Sequence, residues 1–235
     1  MKGRCIIVSG SSSGIGRSIS EILLKAGAQV VGLARNHNKF RPGSKNYKPH
    51  ELDISDVGKL SKLFSTVLSS YPKVDGFVSS AGFGDFNGLE NFSSEQIISY
   101  VNTNLVSHMI LTKLLIPKMK KHNSGKIIFI GSEAALRGGQ KGSLYNAVKF
   151  GLRGFSQAVR EECSGSKVHV SLINPGMVRT NFFEKLNFPP GDDPSNAIEA
   201  SDVAQLVLSV FEMRDGTVID EINLSPLNKV IKFNS

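Results

Sequence analysis

Long apolar runs are missing from this chain. Nowhere among its 235 residues is there a stretch of the roughly 18 to 20 apolar residues that a membrane-spanning helix needs, so no membrane partner is expected. The amino terminus, MKGRCIIVSG, enters a strand-like run at once and lacks a signal-peptide pattern, so no presequence is expected either. Cysteine is scarce. Cys5 and Cys163 are the only two, and neither belongs to a C-x-x-C pair, which leaves no disulfide framework or structural zinc and points to a reduced, cytoplasmic protein. His37, His50, His108, His122 and His169 show no ligand-like pairing, so they are read as surface or packing residues and no metal is expected. Acidic residues are nearly absent from the start of the chain: from Lys2 to Lys48 nine Lys or Arg stand against Glu21 alone. Together with a net charge of +8, that bias raises nucleic-acid binding as a possibility. However, the basic residues are dispersed over strand, helix and loop positions without a helix-turn-helix or RNA-binding signature, so a local anionic small molecule is the better reading.

What is present is a regular alternation. Residues are 40% hydrophobic and 20% charged, enough for one sizeable core and, without repeats or a linker, for a single domain over 1–235. Strand-like runs occur at Arg4–Ser9, Gln29–Ala34, Tyr47–Leu52, Val74–Ser79, Lys126–Gly131, Val168–Ile173 and Thr217–Leu224. Amphipathic stretches lie between them at Gly14–Ala26, Ser55–Ser70, Ser94–Lys121, Ser143–Ser164 and Ser201–Glu212, with Ser55 and Ser201 as expected N-caps. Runs such as KIIFIG are apolar on both faces, which predicts an α/β fold whose sheet is covered on both sides. The right-handed crossover rule then favours a doubly wound Rossmann-type domain with a seven-stranded, mainly parallel sheet flanked by helices. A (β/α)8 barrel is the alternative, and seven strands in this length argue against it. One long irregular stretch remains, at about 179–199.

Between the first strand and first helix, Gly10, Gly14 and Gly16 have the spacing G-x-x-x-G-x-G. Glycine there permits a tight turn and a close approach of backbone to ligand, and the following helix turns its unpaired N–H groups toward a diphosphate. A cofactor with free ribose hydroxyls calls for an acid at the end of the second strand. Here that strand end reads VVGLARN, with Arg35 nineteen residues beyond Gly16. A guanidinium grips a 2′-phosphate where a carboxylate would repel it, which selects NADP(H). Lys39 and Arg41 lie in the following loop.

Further on, Tyr145 and Lys149 in Y-N-A-V-K are four residues apart and share one helix face. A neighbouring ammonium and an oxidised nicotinamide would lower the tyrosine pKa from about 10, and a drop of about three units needs roughly 4 kcal/mol. With Ser132 thirteen residues before Tyr145, the sequence resembles the short-chain dehydrogenase/reductase family nearly end to end. The resemblance implies a set of four, in which Tyr145 exchanges the proton and Ser132 bonds the substrate oxygen. Lys149 holds the ribose and lowers the tyrosine pKa, and Asn104 anchors a water in the proton relay. It also implies cofactor contacts at Gly10, Ser12, Ser13, Gly14, Ile15 and Gly16, at Arg35, and at Asp53 and Ile54 near the adenine. Ala81 and Gly82, Tyr145 and Lys149, and Pro175, Gly176, Val178 and Thr180 in NPGMVRT complete those contacts.

One departure stands out: SSAG at 79–82 where the family usually has N-N-A-G, which is expected to affect stability rather than chemistry. Phe182, Phe183 and Phe188 are read as the wall of a substrate lid, with core anchoring as the alternative; Phe182 and Phe183, with Ser132 and Tyr145, are the candidate substrate contacts. The implied activity is NADP(H)-dependent hydride transfer to or from a small-molecule alcohol or carbonyl substrate. The tail DEINLSPLNK resembles that of a branch acting on small hydroxy acids. A non-catalytic NADP(H)-binding sensor on the same fold is the rival reading. Family members are often dimers or tetramers, so a homodimer or homotetramer is expected.

Overall fold

In a computed structural model, residues 1–233 are described. The seven expected strands form one sheet: β1 (Cys5–Ser9), β2 (Gln29–Ala34), β3 (Tyr47–Glu51), β4 (Gly76–Ser79), β5 (Gly125–Ile130), β6 (Val168–Pro175) and β9 (Glu221–Leu224). Two short strands, β7 (Val178–Arg179) and β8 (Ile198–Glu199), pair with each other separately. The main sheet has the order β3-β2-β1-β4-β5-β6-β9, and every pairing in it is parallel. The doubly wound Rossmann-type reading therefore holds, with the reversal of strand order between β1 and β4 opening a crevice at the carboxyl ends of the strands.

Period-2 alternation explains why both faces are covered. Ile7, Phe77, Ile127 and Phe129 point to one side and pack with Leu60 and Phe64 of helix α2 (Val57–Ser69), Leu111 and Leu115 of α4 (Ser107–Lys121) and Leu152 of α5 (Ser143–Cys163). Ile6, Val8, Val78 and Ile128 point to the other and meet Ile19 and Leu23 of α1 (Gly14–Lys25) and Val207 and Phe211 of α6 (Ala200–Glu212). Each such side chain, fully buried, contributes about 1.5–3 kcal/mol, so the crevice sits on a rigid platform.

Three local expectations need correction. Ser55 is not a cap: its hydroxyl donates to Asp53 Oδ1 at 2.8 Å, and Asp56 caps α2 by accepting from the Lys59 N–H. Ser201 lies inside the first turn of α6, which is capped by the reciprocal pair Glu199 and Asp202. Carboxylates win both positions because they also meet the positive end of the helix. The expected helix Ser94–Lys121 runs as α3 (Ser94–Val101), a π turn at Asn102–Val106, and α4. That wide turn is built around Asn104, and π turns recur at functional sites.

Candidate active site

The glycine motif is shaped as its spacing predicts. Gly10 and Gly14 have φ of +70° and +51°, and a Cβ on Gly16 would lie 2.3 Å from the Gly10 carbonyl oxygen. Ser13, the residue preceding α1, makes no side-chain cap hydrogen bond, leaving the first N–H groups of the helix free for an anion. The Ser9 hydroxyl accepts from the N–H groups of Ser80 (3.0 Å) and Ala81 (3.2 Å), locking this loop to the end of β4.

SSAG is held by a residue that sequence reading left among the packing histidines. His108 is buried, its Nδ1 lies 2.5 Å from Ser79 Oγ, and it also bonds the Ala81 backbone. The long imidazole supplies the reach that serine lacks. Burial, and then the Lys149 charge, push His108 down to about 3, so the ring is neutral. With the ring donating to the Ala81 carbonyl, Ser79 is the donor to Nδ1.

A cavity of about 1070 Å3 runs from this loop across the carboxyl ends of the strands. Its lining includes every cofactor contact named from the sequence: Gly10, Ser12, Ser13, Gly14, Ile15 and Gly16 at one end; Arg35, Asp53 and Ile54 beside them; then Ala81, Gly82, Pro175, Gly176, Val178 and Thr180. Arg35 is exposed at the rim and makes no hydrogen bond or ion pair with any described residue. Asp53 Oδ1 is occupied by the Ser55 N–H and hydroxyl. Thr180 Oγ1 accepts from the Phe182 N–H at 3.2 Å, starting the turn that carries the phenylalanines. An elongated cleft with an anion cradle at one end and a free cation at the rim fits a dinucleotide phosphate.

At the other end Ser132, Tyr145 and Lys149 converge. The Ser132 N–H donates to Asn174 Oδ1 and its hydroxyl accepts from the Ala134 N–H, each at 3.2 Å. Lys149 Nζ lies 5.7 Å from the Tyr145 ring centre and donates to the Ile130 carbonyl at 3.1 Å. Burial pushes the Tyr145 phenol up to about 12, opposed by a hydrogen bond from Ser132 and reinforced by the Glu133 charge. Burial alone brings Lys149 down to about 8. The lowered tyrosine pKa expected from the ammonium is thus not a property of the protein by itself. The lysine charge is directed at the end of β5, and desolvation dominates. Asn104 lies in the same cavity, but both ends of its amide are engaged: Oδ1 accepts from the Phe83 N–H at 3.0 Å and Nδ2 donates to the Tyr100 carbonyl at 3.1 Å.

Phe182, Phe183 and Phe188 are half-buried and line the cavity rather than the core. They form a cluster with Phe86, whose ring centre is 5.0 Å from Tyr145 and 5.1 Å from Phe188. Sequence reading missed Phe86, and missed that Lys229, Ile231 and Phe233 from the chain end also line the cavity. The irregular stretch at 179–199 is ordered: β7 and β8 close its neck, Arg179 donates to the Gly191 and Asp193 carbonyls, and Pro190 bridges to Ile231. These contacts lie far apart in sequence, and no local pattern announces them.

The model of the family described as short chain dehydrogenase matches residues 4–189. The chain belongs to the short-chain dehydrogenase family. It is accordingly an oxidoreductase. A 3-oxoacyl-[acyl-carrier-protein] reductase, FabG, of Buchnera aphidicola is 31% identical over 186 residues, 77% of this chain and 75% of the relative. The reductase of the same name from Escherichia coli K12 is 31% identical over 190 residues, 79% of this chain and 78% of the relative. Among solved structures, a metagenomic short-chain oxidoreductase in complex with NADP is 28% identical with a TM-score of 0.83, covering 97% of this chain and 99% of that one. The alcohol dehydrogenase of Thermococcus sibiricus complexed with 5-hydroxy-NADP shares the fold, with a TM-score of 0.86 at 22% identity over 97% of this chain and 98% of that one. Among the described residues no helix is long and apolar enough to cross a membrane, and no group of metal-ligating side chains is assembled.

Proposed function

We propose that the protein moves a hydride between NADP(H) and the carbon of a secondary alcohol or carbonyl compound. The observation that carries this reading is the meeting of Ser132, Tyr145 and Lys149 in one cavity with the glycine cradle at its far end. The bound cofactor supplies or accepts the hydride. In the reductive direction the Ser132 and Tyr145 hydroxyls donate to the substrate carbonyl oxygen, and Tyr145 Oη then gives that oxygen its proton. A phenol at about 12 holds this proton throughout the neutral range. The Lys149 ammonium would bond the cofactor ribose, and Asn104, which holds the Phe83 turn in place, keeps a second N–H and a second lone pair with which to anchor a water in the proton relay. Asp53 and Ile54 flank the adenine, and Arg35 selects the 2′-phosphate; the NADP in the metagenomic relative supports that choice.

The substrate combines an apolar group with negative charge. Phe86, Phe182, Phe183 and Phe188 form an apolar wall beside Tyr145, while Arg137, Lys141, Lys185 and Lys229 line the same cavity with three acids, Asp53, Glu133 and Glu184, of which Glu133 is already paired with Lys229. An oxo or hydroxy acid with a hydrophobic chain satisfies both features; a 3-oxoacyl group on a carrier, as named for the FabG relatives, supplies the apolar chain, and its negative charge would come from the carrier. Exposed Ile98 and Phe150 on α3 and α5 support self-association as a dimer or tetramer, which light scattering on the eluting protein measures. The test of the activity is NADPH oxidation against a panel of ketones, 3-oxo acids and 3-oxoacyl thioesters, repeated with NADH. Turnover with members of the panel and a preference for NADPH is the expected result; cofactor binding with no turnover on any compound would favour the sensor reading.

A further inference from the structure

Tyr47 does no chemistry in the mechanism above, yet its hydroxyl sits at the centre of a buried polar chain. It lies 2.9 Å from Ser11 Oγ and 3.0 Å from His37 Nδ1, while His37 Nε2 lies 3.2 Å from the His50 carbonyl oxygen. Ser11, His37 and Tyr47 are all buried. A carbonyl can only accept, so His37 Nε2 carries the proton and Nδ1 is an acceptor in the neutral ring. Tyr47 therefore donates to His37, and Ser11 donates to Tyr47. The sheet is shaped around this chain: a Cβ on Gly32 would lie 2.3 Å from the Tyr47 oxygen and 2.6 Å from Ser11 Oγ.

The two ends of the chain belong to the two halves of the dinucleotide site. Ser11 follows Gly10 in the diphosphate loop, and His37 is two residues beyond Arg35. Arg35, Asn36, Asn38 and Lys39 are all exposed, so the loop is anchored through the two buried residues between and after them. These are His37, in the chain, and Phe40, whose ring stacks edge-on with Tyr47 at 5.1 Å and faces the Arg17 guanidinium at 5.2 Å. Tyr47 thus contacts both anchors. The diphosphate loop has further ties of its own, from the Gly10 and Ser11 N–H groups to the Leu33 carbonyl and from the Ser9 hydroxyl to β4.

We propose that Tyr47 and His37 are positioning residues for cofactor choice, holding the Arg35 loop against the diphosphate cradle so that the guanidinium meets the 2′-phosphate. This rests on the NADP reading given above. Calorimetric titration of the full-length protein with NADP+ and with NAD+ tests it without any turnover. The Tyr47→Phe variant loses only the hydroxyl. It should weaken NADP+ binding at least tenfold while NAD+ binding stays within threefold, and His37→Ala should do the same. His37→Asn, which keeps an acceptor near the Nδ1 position, should recover much of the preference. Should Tyr47→Phe fail to fold, His37→Ala, at a loop position, carries the measurement. Equal losses for both cofactors, or no change in either, would overturn the proposal and leave the chain as mere scaffold. Wild-type protein and Arg35→Ala separate the two levels. Equal wild-type affinities, or a preference that survives Arg35→Ala, would sink the NADP reading and this proposal with it. A preference lost in Arg35→Ala but intact in Tyr47→Phe and His37→Ala would sink the proposal alone.

Discussion

His108 makes the stability of this protein sensitive to mild acid. The imidazole is buried between Ser79 and the Ala81 backbone, and burial pushes it down to about 3 from the ordinary value near 6.5. Folded and unfolded chains therefore bind different numbers of protons between those two values. The unfolded chain takes up the extra proton, so stability present at neutral pH is lost as pH falls below about 6.5. One such group gives a slope of about 1.4 kcal/mol per pH unit. At pH 4.5 the loss amounts to about 2–3 kcal/mol, a large share of a typical 5–15 kcal/mol. His50 and His169 are shifted the same way by burial and add to the slope. Urea unfolding at pH 4.5, 5.5, 6.5 and 7.5 measures it in the wild type and in His108→Gln. The variant should lose about 1–3 kcal/mol at pH 7.5, where the Ser79 bond is broken, and should be flatter in acid by about one proton's slope. Identical slopes would refute the reasoning and leave SSAG without its compensating partner.

Three further outcomes follow from the cavity. Arg35→Ala should weaken NADPH binding about 10- to 150-fold, the worth of a charged hydrogen-bonding pair at roughly 1.5–3 kcal/mol, and leave NADH within twofold by calorimetry. Because Lys149 is brought down to about 8 by burial, its ammonium is lost as pH rises through that value. NADPH dissociation constants should be flat to about pH 7 and then rise, and Lys149→Met should bind weakly with no such dependence. Gly16→Ala places a methyl 2.3 Å from the Gly10 carbonyl oxygen; neither atom belongs to a flexible side chain, so cofactor binding should be abolished while circular dichroism still reports the helices.

Much of this was legible from local pattern. Strand runs apolar on both faces predict the covered parallel sheet, and the glycine spacing predicts a loop whose φ values are as required. Every cofactor position named from the sequence lines one cavity. The failures share a cause. The N-cap of α2 went to Asp56 because the Ser55 hydroxyl already bonds Asp53, and that of α6 to Glu199, paired with Asp202, because carboxylates also meet the positive end of the helix. His108 and His37 read as lone histidines because their partners, Ser79 and Tyr47, are far from them in sequence or on another element. Phe86 and the chain end reach the cavity only through tertiary packing. The tyrosine pKa was argued from two cations, the ammonium and an oxidised nicotinamide, without the opposing effect of burial, which is the larger one in the chain on its own.

The most direct test of the proposed chemistry is Tyr145→Phe, assayed for both NADPH binding and NADPH oxidation with the best carbonyl of the panel. Loss of the proton-donating hydroxyl should lower kcat by about 10²- to 10⁴-fold while the NADPH dissociation constant stays within threefold. Turnover that survives the substitution at the wild-type rate would contradict the assignment of the proton to Tyr145, and with it the role given to the whole cavity.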